Sequence, residues 1–147
     1  GTGEVLTNWE ELKRKEKGQA TNTDALEAVA RSLPALWRAE KVQKKAKKAG
    51  FDWSEVSGAL DKLAEELEEL RQAAAQGTNV AEELGDLLFS AVNVSRFLGV
   101  DCEDALNQAT DKFIGRFRKV EEQAGERPMT EMTLAELDQL WERAKET

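Results

Sequence analysis

The sequence predicts an all-α fold, a helical bundle of four main helices, and three observations favour it. Ala, Leu, Glu and Lys dominate the 147-residue chain, and these residues are strong helix formers. Only two prolines and ten glycines occur, and runs of β-branched residues are missing. Apolar residues recur at helical spacing in long stretches with short connections, which is typical of a bundle. The length fits one domain with a core of its own.

The N-terminal part of the chain is polar and only weakly periodic up to residue 31. We expect a short helix at residues 9–17, a linker at residues 18–23 and a second short helix from Asp24. None of these elements carries enough apolar residues to build a core by itself.

A short internal similarity bears on the domain boundary. Residues 8–13 resemble residues 140–145, as two copies of one repeat unit would. We therefore predict that residues 1–23 are a linker or the tail of a preceding repeat. Residues 24–147 are then expected to form the domain.

The first two main helices have clear start and stop signals. Ser32 is a capping residue with Pro34 in the first turn, and Gly50 is the natural stop. Ser54 can cap the second helix, which runs to residue 76 with Gly77 as its terminator. The apolar positions of the second helix alternate steps of four and three and predict a narrow bundle seam: Val56, Leu60, Leu63, Leu67 and Leu70.

The third main helix, at about residues 79–98, is apolar on nearly all sides. Such a helix is a buried central element or an oligomer interface. Asp101 caps a fourth helix that reaches residue 123, with four apolar residues expected to point inward: Leu106, Phe113, Phe117 and Val120. A loop follows at residues 125–128, and Thr133 opens a short last helix with a capping box.

Composition excludes several classes of function. The net charge of -8 argues against general nucleic-acid binding, which needs a basic face. No histidine is present, so histidine bases, serine–histidine triads and histidine metal ligands are excluded. The single cysteine, Cys102, cannot form an internal disulfide and fits a reducing compartment. No stretch resembles a membrane span or a signal peptide, so we expect a cytoplasmic protein without membrane partners.

Two pairs of acidic residues are candidates for chemistry. Glu66 and Glu69 are three residues apart on the second main helix, so they share a face. Taken alone, this pair is better explained as a solvated acidic surface. Glu83 and Asp86 have the same spacing on the apolar third helix, where they form a narrow polar strip with Ser90 and Asn93. We expect this strip to be buried, at a cost of several kcal/mol per ion unless a cation compensates.

The two acidic pairs gain meaning together. The short connection after Gly77 makes the two helices antiparallel neighbours, so the pairs can face each other. Four carboxylates without histidine or cysteine form an all-oxygen site that suits Mg²⁺ or Mn²⁺ rather than Zn²⁺. Since Mg²⁺ favours phosphate oxygens as further ligands, a nucleotide or pyrophosphate substrate is expected. Lys112 and Arg116, four apart on the fourth helix, could neutralise phosphate charge.

The order and spacing of these motifs resemble MazG-type all-α nucleoside triphosphate pyrophosphohydrolases. The likeness extends over residues 32–119 and is closest to the C-terminal MazG domain of tandem members. It is carried by Glu65-Glu66-x-x-Glu69 and by Glu83-x-x-Asp86 within the run EELGDLLF. The segments SLPAL, GFDW, VN and KFxxRF complete it.

The resemblance implies hydrolysis of a nucleoside triphosphate to the monophosphate and pyrophosphate. It implies that Glu66, Glu69, Glu83 and Asp86 bind Mg²⁺, with Mn²⁺ a plausible substitute. Glu65 would be a further ligand or would orient the attacking water. Residues that contact or position the substrate would be Lys62, Asn93, Lys112 and Arg116. Family members are homodimers or larger, which agrees with a third helix that is apolar on all sides.

Some alternatives stay open at this point. A more selective pyrophosphatase of the same fold could act on dUTP, dCTP or damaged nucleotides, with base choice set by Trp37, Trp53 or Trp141. A helical interaction module could instead use the acidic stripe to bind a basic partner without any chemistry. One departure from the family pattern is Gly115, where close relatives often carry a charged residue. A glycine inside a helix costs about 1 kcal/mol relative to alanine.

Overall fold

The structure is a computed structural model that describes residues 8–13, 18 and 20–146. The described residues form helices joined by turns, with no strand among them, which confirms the all-α prediction. Residues 8–13 are helical, whereas residues 14–17 of the first expected helix lie outside the described residues. The helices that follow are α1 (Asn22–Glu27), α2 (Ala35–Lys48), α3 (Val56–Gln76), α4 (Val80–Phe97), α5 (Cys102–Ala124) and α6 (Leu134–Glu146), with a 3₁₀ turn at Met129–Glu131.

The chain divides into two compact units. The first ends at Glu103 and the second begins at Asp104. In the first unit, α1 packs on α2, α2 on α4, and α3 on α4. None of the helices in the described part of the chain combines the length and the apolar character that a membrane crossing requires.

Helix ends follow the glycine signals, but some helix starts differ from the expectation. Gly50 and Gly77 both have a positive φ, at 92° and 71°, and terminate α2 and α3 as predicted. Ser32 does not cap α2, because the helix begins only after Pro34, whose carbonyl accepts from the Arg38 amide at 2.9 Å. The start of α1 also differs: the helix begins at Asn22, inside the expected linker, and its N-cap residue Thr21 forms a capping box with Asp24.

The core of the first unit is built mainly from small residues. Ala59 and Ala73 of α3 are buried, as are Val92 and Val94 of α4. The predicted seam of α3 is wrong in part, since Leu60 and Leu67 are 46% and 47% exposed. Within this chain α4 is not a buried central element either, because four of its large apolar side chains are 41–50% exposed: Val80, Leu84, Leu88 and Phe89. The other reading of α4, an oligomer interface, stays a prediction.

The second unit has its own small core. Val120 of α5 and Leu140 and Ala144 of α6 are buried, and Met129 and Met132 pack against them. Three of the α5 residues expected to point inward are exposed, which corrects the prediction for Leu106, Phe113 and Phe117. The predicted capping box at the start of α6 is confirmed: the Glu136 amide donates to Thr133 Oγ1 at 3.1 Å, and the Thr133 amide donates to Glu136 Oε1 at 3.3 Å.

Candidate metal centre

A tight turn between α3 and α4 brings the two acidic pairs together. Gly77 and Asn79 both have a positive φ, of 71° and 56°, so the chain reverses within three residues. The Glu83 amide then donates to the Asn79 carbonyl at 3.0 Å and starts α4. Asparagine tolerates the left-handed region better than most residues, which explains its place at this start. The two helices therefore pack side by side in opposite directions.

Three carboxylates meet across this helical hairpin. Glu66, Glu83 and Asp86 each place one carboxylate oxygen within 4.8 Å of the others. The burial of the three groups differs from the expectation, since Asp86 is exposed and Glu83 is only half-buried. Glu66 is the buried acid, at 6% exposure. The carboxylate whose burial costs solvation energy is therefore Glu66 of α3, not an acid of the polar strip of α4.

Two oxygens of this cluster have no partner. Glu66 Oε2 and Glu83 Oε2 are buried and accept no hydrogen bond from any described residue. A buried carboxylate oxygen without a donor costs about 1–3 kcal/mol or more. A cation bound between the three carboxylates would remove that cost, so the residues present fit a metal ion with oxygen ligands.

Lys62 occupies the other side of Glu66. Its Nζ lies 3.1 Å from Glu66 Oε1 and 3.4 Å from Glu65 Oε1. The hydrogen bond to Glu66 raises the pKa of Lys62, so this side chain stays positively charged. Lys62 therefore pairs with Oε1 of Glu66, and Oε2 is left without a donor among the described residues. Glu65 is 57% exposed and pairs with this lysine, and it is not part of the three-carboxylate group found among the described residues.

Glu69 adjoins the three-oxygen group rather than belonging to it. The pKa of Glu69 is raised, first by the adjacent carboxylate of Glu66, then by burial and by Glu83. A carboxyl group influenced in this way by two other acids lies beside both of them. All four acids expected at the site are therefore gathered along one side of the α3–α4 hairpin.

A cavity of about 730 Å³ opens beside the carboxylates. Glu66 and Asp86 contribute to its lining, together with Lys62 and Asn93. Phe51 and Trp53, from the loop after α2, supply aromatic walls. The cavity combines acids, an amide and aromatic surface, which suits a ligand with both a charged and a planar apolar part.

Comparison with known proteins bears on this geometry. The profile described as "MazG nucleotide pyrophosphohydrolase domain" matches residues 54–121, which contain both acidic pairs. Residues 54–121 are thus similar to MazG domains. The chain is 41% identical over 150 residues to the Escherichia coli K12 protein named "Nucleoside triphosphate pyrophosphohydrolase", a match that covers 98% of this chain and 57% of that protein.

Two further relatives give the same picture. The Thermotoga maritima protein named "Nucleoside triphosphate pyrophosphohydrolase/pyrophosphatase MazG" is 43% identical over 145 residues, covering 97% of this chain and 56% of that protein. The Bacillus subtilis "Uncharacterized protein YabN" is 42% identical over 149 residues, covering 98% of this chain and 30% of its own length. The chain thus spans little more than half, or less, of these relatives.

Two expected phosphate ligands lie in the second unit of the chain, outside the hairpin. Lys112 and Arg116 are on α5, and the Arg116 guanidinium lies 5.7 Å from the centre of the Trp141 ring. Gly115 borders open space, since a Cβ there would meet no atom within 4 Å. The departure from the family pattern is therefore not explained by crowding within the chain. Contact of the two cations with phosphate stays a prediction.

A polar network beside the cavity is not predicted by the sequence motifs. Arg96 forms a two-point ion pair with Asp52, and the same guanidinium contacts Asn93 and Gln43. In the sequence Asp52 belongs only to the GFDW segment, and no motif includes Gln43 or Arg96. An arginine near the end of an apolar helix, three residues after a polar strip residue, was the available signal.

Proposed function

We propose that this MazG-like domain hydrolyses nucleoside triphosphates to nucleoside monophosphate and pyrophosphate with Mg²⁺ as cofactor. One observation carries the proposal: three carboxylate oxygens converge within 4.8 Å, and two buried oxygens of the same acids lack any hydrogen-bond donor among the described residues. The names of the relatives from Escherichia coli and Thermotoga maritima support the same reaction.

In this proposal Glu66, Glu69, Glu83 and Asp86 hold the cation. Their oxygens are hard ligands, which favours Mg²⁺ and allows Mn²⁺ as a substitute. When bound, the cation supplies charge stabilisation to the phosphoryl oxygens and lowers the pKa of a coordinated water. No step needs a covalent intermediate, because no activated nucleophile lies at the site among the residues that the structure describes.

The remaining residues of the hairpin orient the reactants. Lys62 fixes the rotamer of Glu66 and is 37% exposed, so it can also reach a phosphate oxygen. Glu65 sits on the solvent side of Lys62, where it can orient the attacking water. Asn93 lines the cavity beside the acids and can position the nucleoside. For Lys112 and Arg116 the proposal of phosphate contact rests on the sequence resemblance.

We also propose that the domain works as a homodimer or larger assembly. The support is physical: α3 and α4 leave several large apolar side chains 41–50% exposed, an arrangement that costs solubility unless another surface covers it. Sedimentation analysis of the full chain and of Leu84→Glu would test this. A monomeric full chain at micromolar concentration contradicts the assembly.

Two alternatives make different predictions. A selective pyrophosphatase would cleave one or a few nucleotides, and the aromatic walls of the cavity provide a surface on which a base could be discriminated. A non-catalytic interaction module would show no effect of metal on stability and no turnover with any nucleotide.

The test is an assay of pyrophosphate release with each ribo- and deoxyribonucleoside triphosphate and Mg²⁺. Glu66→Gln and Asp86→Asn should each lower turnover by about 100-fold, because each replaces an anionic carboxylate of the cluster by a neutral amide. Glu68→Gln is the matched control, since Glu68 lies on the same helix, is 60% exposed and pairs with Arg71. Absence of pyrophosphate with every nucleotide contradicts the proposal.

A further inference from the structure

A buried arginine organises the cavity wall beside the carboxylates. The side chain of Arg96 is 7% exposed, and that of its partner Asp52 is 12% exposed. Arg96 Nη2 donates to Asp52 Oδ1 at 2.7 Å, and Nη1 donates to Oδ2 at 3.0 Å. This two-point geometry joins the end of α4 to the loop that follows α2, and it fixes the plane of the guanidinium.

The same guanidinium determines which end of the Asn93 amide faces the cavity. Arg96 Nη2 donates to Asn93 Oδ1 at 2.9 Å. Because arginine has donors and no acceptor, Asn93 must turn its oxygen towards Arg96. The Nδ2 group is then the free end of the amide, and it forms no hydrogen bond to any other described residue. Asn93 lines the cavity, so this end is a donor available to a ligand.

Two further contacts hold Arg96 in place. Its Nε lies 3.5 Å from Oε1 of Gln43, a buried residue whose Nε2 donates to the Phe89 carbonyl at 3.0 Å. The ring of Phe97 lies 5.0 Å from the guanidinium carbon. With partners on every edge, Arg96 cannot easily rotate away, so the orientation of Asn93 is set before any ligand arrives.

We infer that Arg96 is a positioning residue for the nucleoside end of the substrate, which it serves by holding Asn93 as an amide donor. This inference rests on the proposed function, since it places the phosphates at Glu66 and Asp86 in the same cavity. Asn93 follows Asp86 by seven residues, about 10 Å along the helix axis. That distance is comparable with the length of a nucleoside.

The ligand group that the donor selects is a hydrogen-bond acceptor, either an oxygen of the sugar or an acceptor on the base. Through Asp52, Arg96 also anchors the loop that carries Phe51 and Trp53, both of which line the cavity. One buried ion pair therefore fixes a polar contact and an aromatic wall for the same part of the substrate.

Asn93→Asp is the sharpest variant. Aspartate keeps an oxygen for Arg96, and the contact becomes an ion pair, so the fold is retained. The donor towards the cavity is lost and a negative charge replaces it. We expect a thermal midpoint at least equal to wild type, together with nucleoside monophosphate binding weakened by about 10-fold or more. If Asn93 were purely structural, the added charge would weaken the binding of inorganic pyrophosphate and of the monophosphate equally.

Arg96→Lys tests whether the arginine acts through the amide. Lysine keeps the charge opposite Asp52 but cannot hold both partners at once. We expect Arg96→Lys and Asn93→Ala each to raise KM about 10-fold with a smaller change in kcat. The double variant should be no worse than the more affected single variant, because both changes remove the same contact. Fully additive losses would overturn the inference.

Binding probes separate the two ends of the substrate and do not need turnover. Inorganic pyrophosphate with Mn²⁺ should bind all variants with the affinity it has for wild type. A nucleoside monophosphate should bind the variants more weakly than wild type. Ribose 5-phosphate distinguishes the two acceptors: if Asn93→Asp weakens its binding, the acceptor is on the sugar, and if not, it is on the base. Equal weakening of pyrophosphate and monophosphate contradicts the inference. Absence of pyrophosphate release by wild type contradicts the proposed function instead.

Discussion

The buried acid Glu66 gives the most direct test of the metal centre through protein stability. Without metal, its charge faces those of Glu83 and Asp86 within 4.8 Å, and each such pair repels by roughly 3 kcal/mol at an effective dielectric constant of about 20. Glu66→Gln removes this repulsion and also weakens the contact with Lys62. The two effects oppose each other, so metal-free stability should change little.

The response to metal should change strongly. A cation at about 100 times its Kd stabilises the wild-type fold by about 2.7 kcal/mol. For a chain of this size that corresponds to a rise of about 5–10 °C in the midpoint of thermal unfolding. In Glu66→Gln the rise should fall below about 2 °C at the same Mg²⁺ or Mn²⁺ concentration, because the cluster loses its most buried ligand.

Thermal unfolding with and without each cation measures both the metal-free stability and the metal-dependent rise of the midpoint. Glu68→Gln carries the same change of charge on the same helix, outside the carboxylate cluster, and should keep the full metal-dependent rise. If Glu66→Gln retains that rise, or if Glu68→Gln loses it equally, the assignment of Glu66 as a ligand is wrong.

Three further predictions concern the surroundings of the site. The Arg96 guanidinium holds the pKa of Asp52 below its usual range, so the stability from this pair is complete above about pH 4 and is lost as the pH falls through the lowered value. Asp52→Asn should lower the free energy of unfolding at pH 7 by about 3 kcal/mol. In urea unfolding at a series of acidic pH values, the variant should also lose less stability than wild type as the pH falls, and an equal loss refutes this. Gly58→Ala should displace the Trp53 ring, because that ring lies 3.1 Å from a Cβ placed at residue 58. The variant should shift the tryptophan fluorescence and raise KM with little effect on metal binding. An unaltered KM speaks against Trp53 as a wall of the cavity. Burial raises the pKa of the Cys102 thiol. Its alkylation by iodoacetamide should therefore be slower at pH 8 than that of a free cysteine, and the rate should still increase above pH 9. A rate that becomes constant below that pH contradicts the burial.

Local signals in the sequence predicted most helix ends and the composition of the acidic cluster. Gly50 and Gly77 terminate helices because they adopt the left-handed conformation that other residues resist. The start of α2 was predicted too early because a residue before proline is disfavoured in the helical region, so Leu33 cannot begin the helix and Ser32 cannot cap it. Spacing of three residues places acids on one face whatever the rest of the chain does.

Burial could not be predicted in the same way, because it depends on packing between distant segments. Asp86 sits on the more apolar helix and is nevertheless exposed, whereas Glu66 on the more polar helix is buried. Arg96 and Asp52 are 44 residues apart in the sequence, and no local pattern predicts that they pair. The apolar residues of α3 and α4 that stay exposed show that periodicity identifies an apolar face without telling what covers it.

The tight turn at Gly77–Asn79 also has a consequence for the order of events in folding. Glu69 and Glu83 are separated by only 14 residues, so the length-dependent part of the loop-closure entropy is about 2 kcal/mol. Contacts so close in sequence form early, before those that join distant parts of the chain. The acids of the two helices therefore meet while the hairpin is still assembling, and their repulsion slows that step. A divalent cation that binds there should accelerate folding as well as slow unfolding. The fraction of its stabilising free energy that appears in the folding rate measures how early the hairpin closes.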